Sequence, residues 1–84
     1  MKITVKAVGA LSDHLPGDPA DHQAEVEVAE GATPEGIIAQ LALPTDLHYA
    51  VEINGTLVPP GEHGSRTLAA GDLLAILEVP KFGV

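Results

Sequence analysis

The sequence contains neither cysteine nor tryptophan, and it holds only one tyrosine and one phenylalanine among its 84 residues. Without cysteine, disulfides, thiolate-bound zinc and cysteine nucleophiles are excluded, and a reducing cytoplasm is the expected location. The near absence of aromatic side chains means that the core must be aliphatic, and a hydrophobic content of 45% is enough to build one. We therefore expect a single small domain.

Basic residues are also scarce, because four lysines and arginines stand against twelve acidic residues and leave a net charge of −8. Nucleic acid is excluded as a favoured partner, since its binding depends on lysine and arginine. The longest strictly apolar run, "LLAIL", is far shorter than the roughly 20 residues that span a bilayer, so no membrane partner is expected. An acidic surface favours a protein partner with a basic docking surface, although simple solubility is the alternative explanation.

Alternating apolar residues predict extended strands in several segments of the chain. "MKITVKAVG" and "QAEVEVAEG" alternate with apolar side chains inward, and these side chains are Ile3, Val5, Ala7, Ala24, Val26 and Val28. "HYAVEINGTLV" predicts a hairpin whose turn is Asn54-Gly55, and "LLAILEV" predicts the last strand. The segment "LSDHLPGDPADH" between the first two strands is predicted as a loop.

One segment, "TPEGIIAQLALP", predicts a helix. Thr33 is suited to cap its amino end, and Pro34 suits the first helical position. Ile37, Ile38 and Leu41 lie on one face at helical spacing, and Pro44 should end the helix at about residue 43. A helix this short is not stable alone and must pack against a sheet.

The predicted order is strand, strand, helix and three further strands, which indicates an α+β fold. The crossover through the helix should place the first and last strands side by side and parallel in the centre of a mixed sheet of four to five strands. This is the ubiquitin-like β-grasp arrangement, with one helix packed on one face. We expect a β-grasp domain over residues 1–79 and a flexible carboxyl-terminal tail over residues 80–84.

The last strand predicts a protein-binding surface. If Leu74 and Ile76 face the helix, the alternate side chains of this strand face the open side of the sheet, and they are Leu73, Ala75, Leu77 and Val79. An apolar stripe on an open sheet face is typical of an interface, and Phe82 would add an aromatic anchor on the tail. The alternative is a slipped register in which Leu73 lies outside the strand and Leu77 is only a rim residue.

The first loop also offers a weaker alternative, a divalent-metal site. Its candidate ligands are Asp13, His14, Asp18, Asp21 and His22, but their spacing fits no metal motif, and solvated turns are the simpler interpretation. His48 and His63 are predicted in different loops without a chemical role. No set of residues predicts catalysis, a resident metal or a cofactor, so any activity would be that of a substrate or carrier.

In this order and spacing, "EVEVAEGAT", "INGTLV" and "AAGDLLAIL" resemble the ThiS/MoaD family of ubiquitin-like sulfur carriers over nearly the whole chain. The long first loop resembles the molybdopterin-synthase small subunit more than the thiamine carrier. The resemblance implies a carboxyl-terminal tail that an ATP-dependent enzyme adenylates and that then carries sulfur as a thiocarboxylate. It also implies docking on the adenylating enzyme, or on a protein like the molybdopterin-synthase large subunit, through the sheet face and tail.

The tail departs from the family pattern because the chain ends Phe82-Gly83-Val84 instead of Gly-Gly. The resemblance aligns the diglycine either with Gly83-Val84 or with Phe82-Gly83 followed by an extra Val84, and it places the sulfur-carrying role at Gly83 and Val84. Two hypotheses of different classes remain open: an atypical sulfur carrier of molybdopterin or thiamine biosynthesis, and a binding module or regulatory subunit that kept the grasp surface but lost the transferable tail.

Overall fold

The computed structural model describes residues 1–15, 22–44 and 48–79. In these residues five strands and one α-helix follow the chain as β1 (Lys2–Ala7), β2 (Gln23–Glu27), α1 (Pro34–Gln40), β3 (His48–Ile53), β4 (Thr56–Val58) and β5 (Leu73–Val79). The sheet has the order β2-β1-β5-β3-β4. β1 and β5 are parallel neighbours, whereas the other neighbouring strands are antiparallel. The predicted α+β β-grasp fold, with the first and last strands paired in the centre, is confirmed.

The core lies between the helix and one face of the sheet. Alternation places Ile3 and Val5 of β1 and Leu74 and Ile76 of β5 on the buried face, all with at most 1% of their surface exposed. The helix contributes Ile37, which is equally buried. Among the described residues, every fully buried hydrophobic residue is isoleucine, leucine, valine or alanine. The predicted aliphatic core and the inward orientation of Leu74 and Ile76 are therefore confirmed.

The helix begins as the sequence predicts. Thr33 has an extended backbone, and its hydroxyl oxygen accepts a hydrogen bond from the backbone N–H of Gly36 at 3.2 Å. This bond satisfies one of the amide groups that the first helical turn leaves without a partner. Pro34 follows at the first helical position, where the missing N–H of proline has no cost.

The carboxyl end of the helix differs from the prediction, because α1 ends at Gln40 rather than at about residue 43. Ala42 adopts a left-handed conformation with φ of 56°. The N–H of Leu43 donates to the carbonyl of Ile38, and the N–H of Ala42 donates to that of Ala39. This pair of bonds is a Schellman motif, and it turns the buried Leu43 back into the core. The helix thus ends in a Schellman cap in which alanine takes the position that glycine usually occupies.

Replacing Ala42 with glycine should raise the free energy of unfolding by about 0.5–1 kcal/mol, because glycine adopts the left-handed conformation without the steric cost that alanine bears. The exposed Ala39, inside the helix, is the matched control, and Ala39→Gly should lower the same quantity by about 1 kcal/mol. Urea denaturation of the two variants measures both effects. A loss of stability in Ala42→Gly would contradict the strained cap.

The first loop is more ordered than predicted. Residues Gly9–His14 form a 3₁₀ helix, and Leu11 and Leu15 are buried in the core. The prediction of an irregular loop across this part is therefore wrong, because its two leucines gain more from burial than the polar residues around them gain from an open loop. Residues 16–21 of the same segment lie outside the described residues.

The predicted Asn54-Gly55 hairpin is confirmed and also fixes the start of β5. Both turn residues have positive φ, 52° and 84°, as a tight two-residue turn requires. The Asn54 side chain accepts from the N–H of Leu73 at 2.9 Å and donates to the Asp72 carboxylate at 3.0 Å. That carboxylate also accepts from the N–H of Ala69. This network joins the hairpin to the strand that carries the candidate site.

Candidate functional site

The open face of the sheet, opposite the helix, carries the apolar side chains that the sequence singles out. Because successive side chains of a strand point to opposite faces, the burial of Leu74 and Ile76 sends their neighbours to the open side. Leu73, Ala75 and Leu77 are half-buried there, and Val79 is 39% exposed. The slipped register considered above is therefore wrong, and the stripe lies along the length of β5.

Neighbouring strands widen this stripe into a patch. The register places Ala50 of β3 opposite Leu77, and Glu52 of β3 opposite Ala75. On the far side of β3, Leu57 of β4 lies opposite Glu52 and is 63% exposed. We call this surface the open-face patch, and its residues are Ala50, Leu57, Leu73, Ala75, Leu77 and Val79.

Sequence reasoning missed Leu57 as a surface residue of this patch. A signal for it exists, because a two-residue Asn-Gly turn fixes which residues of the two strands face one another. The exposed Val8, which directly follows β1 with 44% of its surface exposed, was missed as well. It lies just beyond the end of β1, where the alternation of the strand no longer predicts which way a side chain points.

Charged side chains flank the patch on the side of β1 and β2, and Glu52 lies within it, between Ala75 and Leu57. The lysines of β1 are on the open face, and Lys6 lies opposite Ala75 in the parallel register. Beyond β1, the exposed Glu25 and Glu27 of β2 form an acidic border. An apolar centre with a charged rim is the usual anatomy of a protein interface. The arrangement therefore has the features of a protein-binding surface.

A groove of about 440 Å³ lies where β5 ends. It is lined by His48, Tyr49, Pro60, His63 and Val79. His48 is in β3, opposite Val79, and His63 follows a short 3₁₀ helix, Pro60–Glu62. The prediction that the two histidines lie in different loops is thus wrong for His48, and the structure brings both to the base of the tail. One ring nitrogen of His63 lies 3.1 Å from the carbonyl oxygen of Val58, which holds the ring against β4.

The predicted tail residues Phe82, Gly83 and Val84 lie outside the described residues, as does the rest of the segment 80–84. Their assignment to sulfur transfer and anchoring therefore stays a prediction. The described chain ends at Val79, so the open-face patch reaches the residue from which the tail begins.

The alternative metal site in the first loop is covered only in part. Asp13, His14 and His22 are exposed, whereas Asp18 and Asp21 lie outside the described residues. Within residues 1–15, 22–44 and 48–79, no three histidine or acidic side chains come close enough to hold a metal ion. In the same ranges, no helix is long and apolar enough to cross a membrane.

Comparison with known proteins adds family evidence to this geometry. The model of the ThiS family matches residues 14–80, which is most of the chain. The chain belongs to the ThiS family. Its members work through partner proteins such as activating enzymes and are not themselves enzymes, which confirms the prediction of a non-enzymatic carrier-type protein. No curated protein matches the chain.

Two solved structures share the fold of this ThiS-family chain. SAMP1 from Haloferax volcanii superposes with a TM-score of 0.67 at 22% identity, covering 99% of this chain and 100% of the other. The thiamine biosynthesis protein ThiS from Geobacter metallireducens superposes with a TM-score of 0.65 at 19% identity, with the same coverage. The suspected ThiS/MoaD-like membership is confirmed, whereas the greater likeness to the molybdopterin-synthase small subunit stays a prediction.

Proposed function

We propose that this ThiS-family chain is a sulfur carrier that docks on an ATP-dependent adenylating enzyme through the open-face patch. The observation that supports this most directly is the position of the patch on β5, the strand that runs into the tail. Five residues span at most about 17 Å, so a partner that holds the patch determines where the terminal carboxylate can reach. The apolar centre suits a partner with an apolar docking surface, and the acidic border at Glu25 and Glu27 suits basic residues on that partner.

The chain would contribute only its carboxylate to the chemistry. A carboxylate oxygen attacks the α-phosphorus of ATP, and pyrophosphate leaves. Sulfide then attacks the carboxyl carbon of the acyl adenylate, AMP leaves with the C–O bonding electrons, and a thiocarboxylate remains. All catalytic groups would belong to the partner, which is consistent with a chain whose sequence predicts no catalytic residue.

Gly83 and Val84 are the proposed sulfur-carrying residues. Glycine near the terminus lets a tail pass through a narrow channel, because it has no Cβ atom and adopts conformations that other residues resist. Val84 is β-branched, and its bulk should slow attack at its own carboxyl carbon. We therefore expect a chain that ends at Gly83 to react faster than the chain that ends at Val84.

Intact-mass measurement tests this proposal. The full chain and a variant without Val84 are incubated with ATP, sulfide and the adenylating enzyme from the same organism, and samples without ATP are the control. The expected result is one sulfur-for-oxygen exchange, faster in the variant that ends at Gly83. Unchanged masses in both proteins would overturn the proposal if the same enzyme preparation adenylates another carrier protein.

The second candidate function is a binding module or regulatory subunit, and Phe82 is the observation that favours it. If the family diglycine aligns with Phe82-Gly83, this chain has an aromatic residue in place of a glycine, and a phenyl ring would clash with a channel shaped for glycine. A stable complex with an enzyme subunit that forms without any change of mass would support the module.

Molybdopterin synthesis is the pathway we favour over thiamine synthesis because of the long first loop, and we propose a cytoplasmic location.

A further inference from the structure

A second surface lies at the outer edge of the sheet, on β2. β2 is an edge strand, and β1 separates it from β5. The N-terminal residue Met1 exchanges two backbone hydrogen bonds with Val28, at 2.9 and 2.8 Å. In an antiparallel ladder such doubly bonded pairs alternate with pairs that share no bond, so Ile3 with Val26 is the next bonded pair.

It follows that the residues between these pairs turn their backbone groups away from β1. On β1, the carbonyl of Lys2 and the N–H of Thr4 bond toward the start of β5, as this alternation requires. On β2, the corresponding outward residues are Gln23, Glu25 and Glu27. The outer edge of β2 therefore presents a row of backbone donors and acceptors.

Part of this row is already occupied. The side-chain amide of Gln40, at the end of α1, donates to the carbonyl of Glu27 at 2.9 Å. Among the described residues, no other group bonds to the outward backbone of Glu25 or to the N–H of Glu27. Gln40 thus marks one end of the row, which extends from there toward Gln23 without another bonding partner among the residues that the structure describes.

A groove of about 480 Å³ lies beside this edge, between β2 and the end of the helix. It is lined by His14, Glu25, Val26, Glu27, Gln40 and Leu41. Glu27 contacts the terminal ammonium of Met1 at 3.0 Å, yet its side chain is 68% exposed. Glu25 is exposed and has no ion-pair partner in residues 1–15, 22–44 and 48–79. The groove has room for side chains of an added strand on the helix side of β2, whereas Glu25 and Glu27 alternate with the buried Val26 and make the open side of this edge negatively charged.

We propose that the outer edge of β2 binds an extended basic segment of a partner protein, which adds to the sheet as a sixth strand. Backbone hydrogen bonds with Glu25 and Glu27 would hold the segment, and lysine or arginine at alternate positions would contact the two glutamates. Glutamates on an edge normally repel other edges, and a second copy of this chain would place glutamate against glutamate. Only a positively charged segment turns this repulsion into attraction.

The peptide acetyl-Lys-Val-Lys-Val-Lys-amide is a direct probe for this edge, and its counterpart with glutamate in place of lysine is the control. Nuclear magnetic resonance of the ¹⁵N-labelled chain at low salt reports the backbone N–H of each residue. The lysine peptide should shift the Glu25 and Glu27 signals and slow the hydrogen exchange of both amides, whereas the glutamate peptide should do neither. Protection of the Glu25 amide in the free chain would overturn the proposal, because the edge would already be covered.

Two substitutions at one position separate strand addition from simple charge attraction. Glu25→Gln keeps the outward N–H and should weaken the lysine peptide about two- to five-fold, the loss of one exposed ion pair. Glu25→Pro removes the outward N–H but leaves the bonds to β1 in place, and edge strands tolerate proline at such a position. This substitution should weaken binding of the lysine peptide about tenfold or more.

The amide spectrum of β1 and the thermal unfolding curve check that both variants remain folded. If the folded Glu25→Pro variant binds the peptide as well as Glu25→Gln does, the peptide is held by charge alone and strand addition is wrong. If neither peptide shifts any β2 signal, the edge is not a binding site. Neither outcome bears on the carrier proposal, which depends on the open-face patch.

Discussion

Leu77→Glu should reduce the rate of adenylate-dependent sulfur loading at limiting carrier concentration by about 30- to 1,000-fold. Leu77 lies in the open-face patch opposite Ala50 and beside Val79, at the end of β5 that leads to the tail. A carboxylate at this position would be buried against the partner without a counter-charge. Truncation or disruption of such a central residue costs about 2–4 kcal/mol of binding free energy, which corresponds to that range.

A matched control separates the patch from the overall charge. Ala39→Glu adds the same charge on the exposed side of the helix, on the opposite layer of the molecule. This variant should load sulfur at nearly the unmodified rate, and circular dichroism should show both variants folded. Equal losses in the two variants would mean that net charge, rather than the open-face patch, determines docking.

Ile76→Ala should lower the free energy of unfolding by about 2–5 kcal/mol. Ile76 is fully buried in β5, between β1 and β3, so its truncation leaves a cavity in the centre of the core. The total stability expected for a chain of this length is about 4–13 kcal/mol, so the loss is a large fraction of it. Urea denaturation followed by circular dichroism measures the change.

The neighbouring residue of the same strand is the natural comparison. Leu77 is half-buried on the open face, and Leu77→Ala should cost no more than about 1 kcal/mol, because less surface returns to water. The pair therefore predicts opposite outcomes: Ile76→Ala unfolds easily, whereas Leu77→Ala stays folded but binds its partner more weakly. Equal destabilisation by both substitutions would contradict the assignment of the two faces.

Much of the fold could be predicted because local and global signals agree in this chain. Strict alternation in β1 and β2 determines the buried face, and the Asn54-Gly55 turn determines the hairpin register. The end of the helix could not be predicted, because Ala42 adopts a left-handed conformation that glycine usually adopts at this position of a helix cap. There the burial of Leu43 outweighs the local preference of the backbone.

The candidate site could be predicted along β5 but not across the sheet. Alternation within one strand assigns Leu73, Ala75, Leu77 and Val79 to one face, whereas their neighbours depend on pairing between distant segments. The approach of His48 and His63 to one groove at the base of the tail arises from such pairing and from the loop after β4. A single sequence gives no direct measure of these long-range contacts.

The parallel pairing of β1 with β5 has a consequence for protein synthesis. β1 and β5 are separated by almost the whole described chain. The centre of the sheet therefore cannot form until β5 has left the ribosome. Folds that depend on such distant contacts form slowly, because the intervening chain must first be brought together. A nascent chain that lacks β5 has neither a finished core nor a docking face, so translation products cut short before this strand cannot compete for the partner.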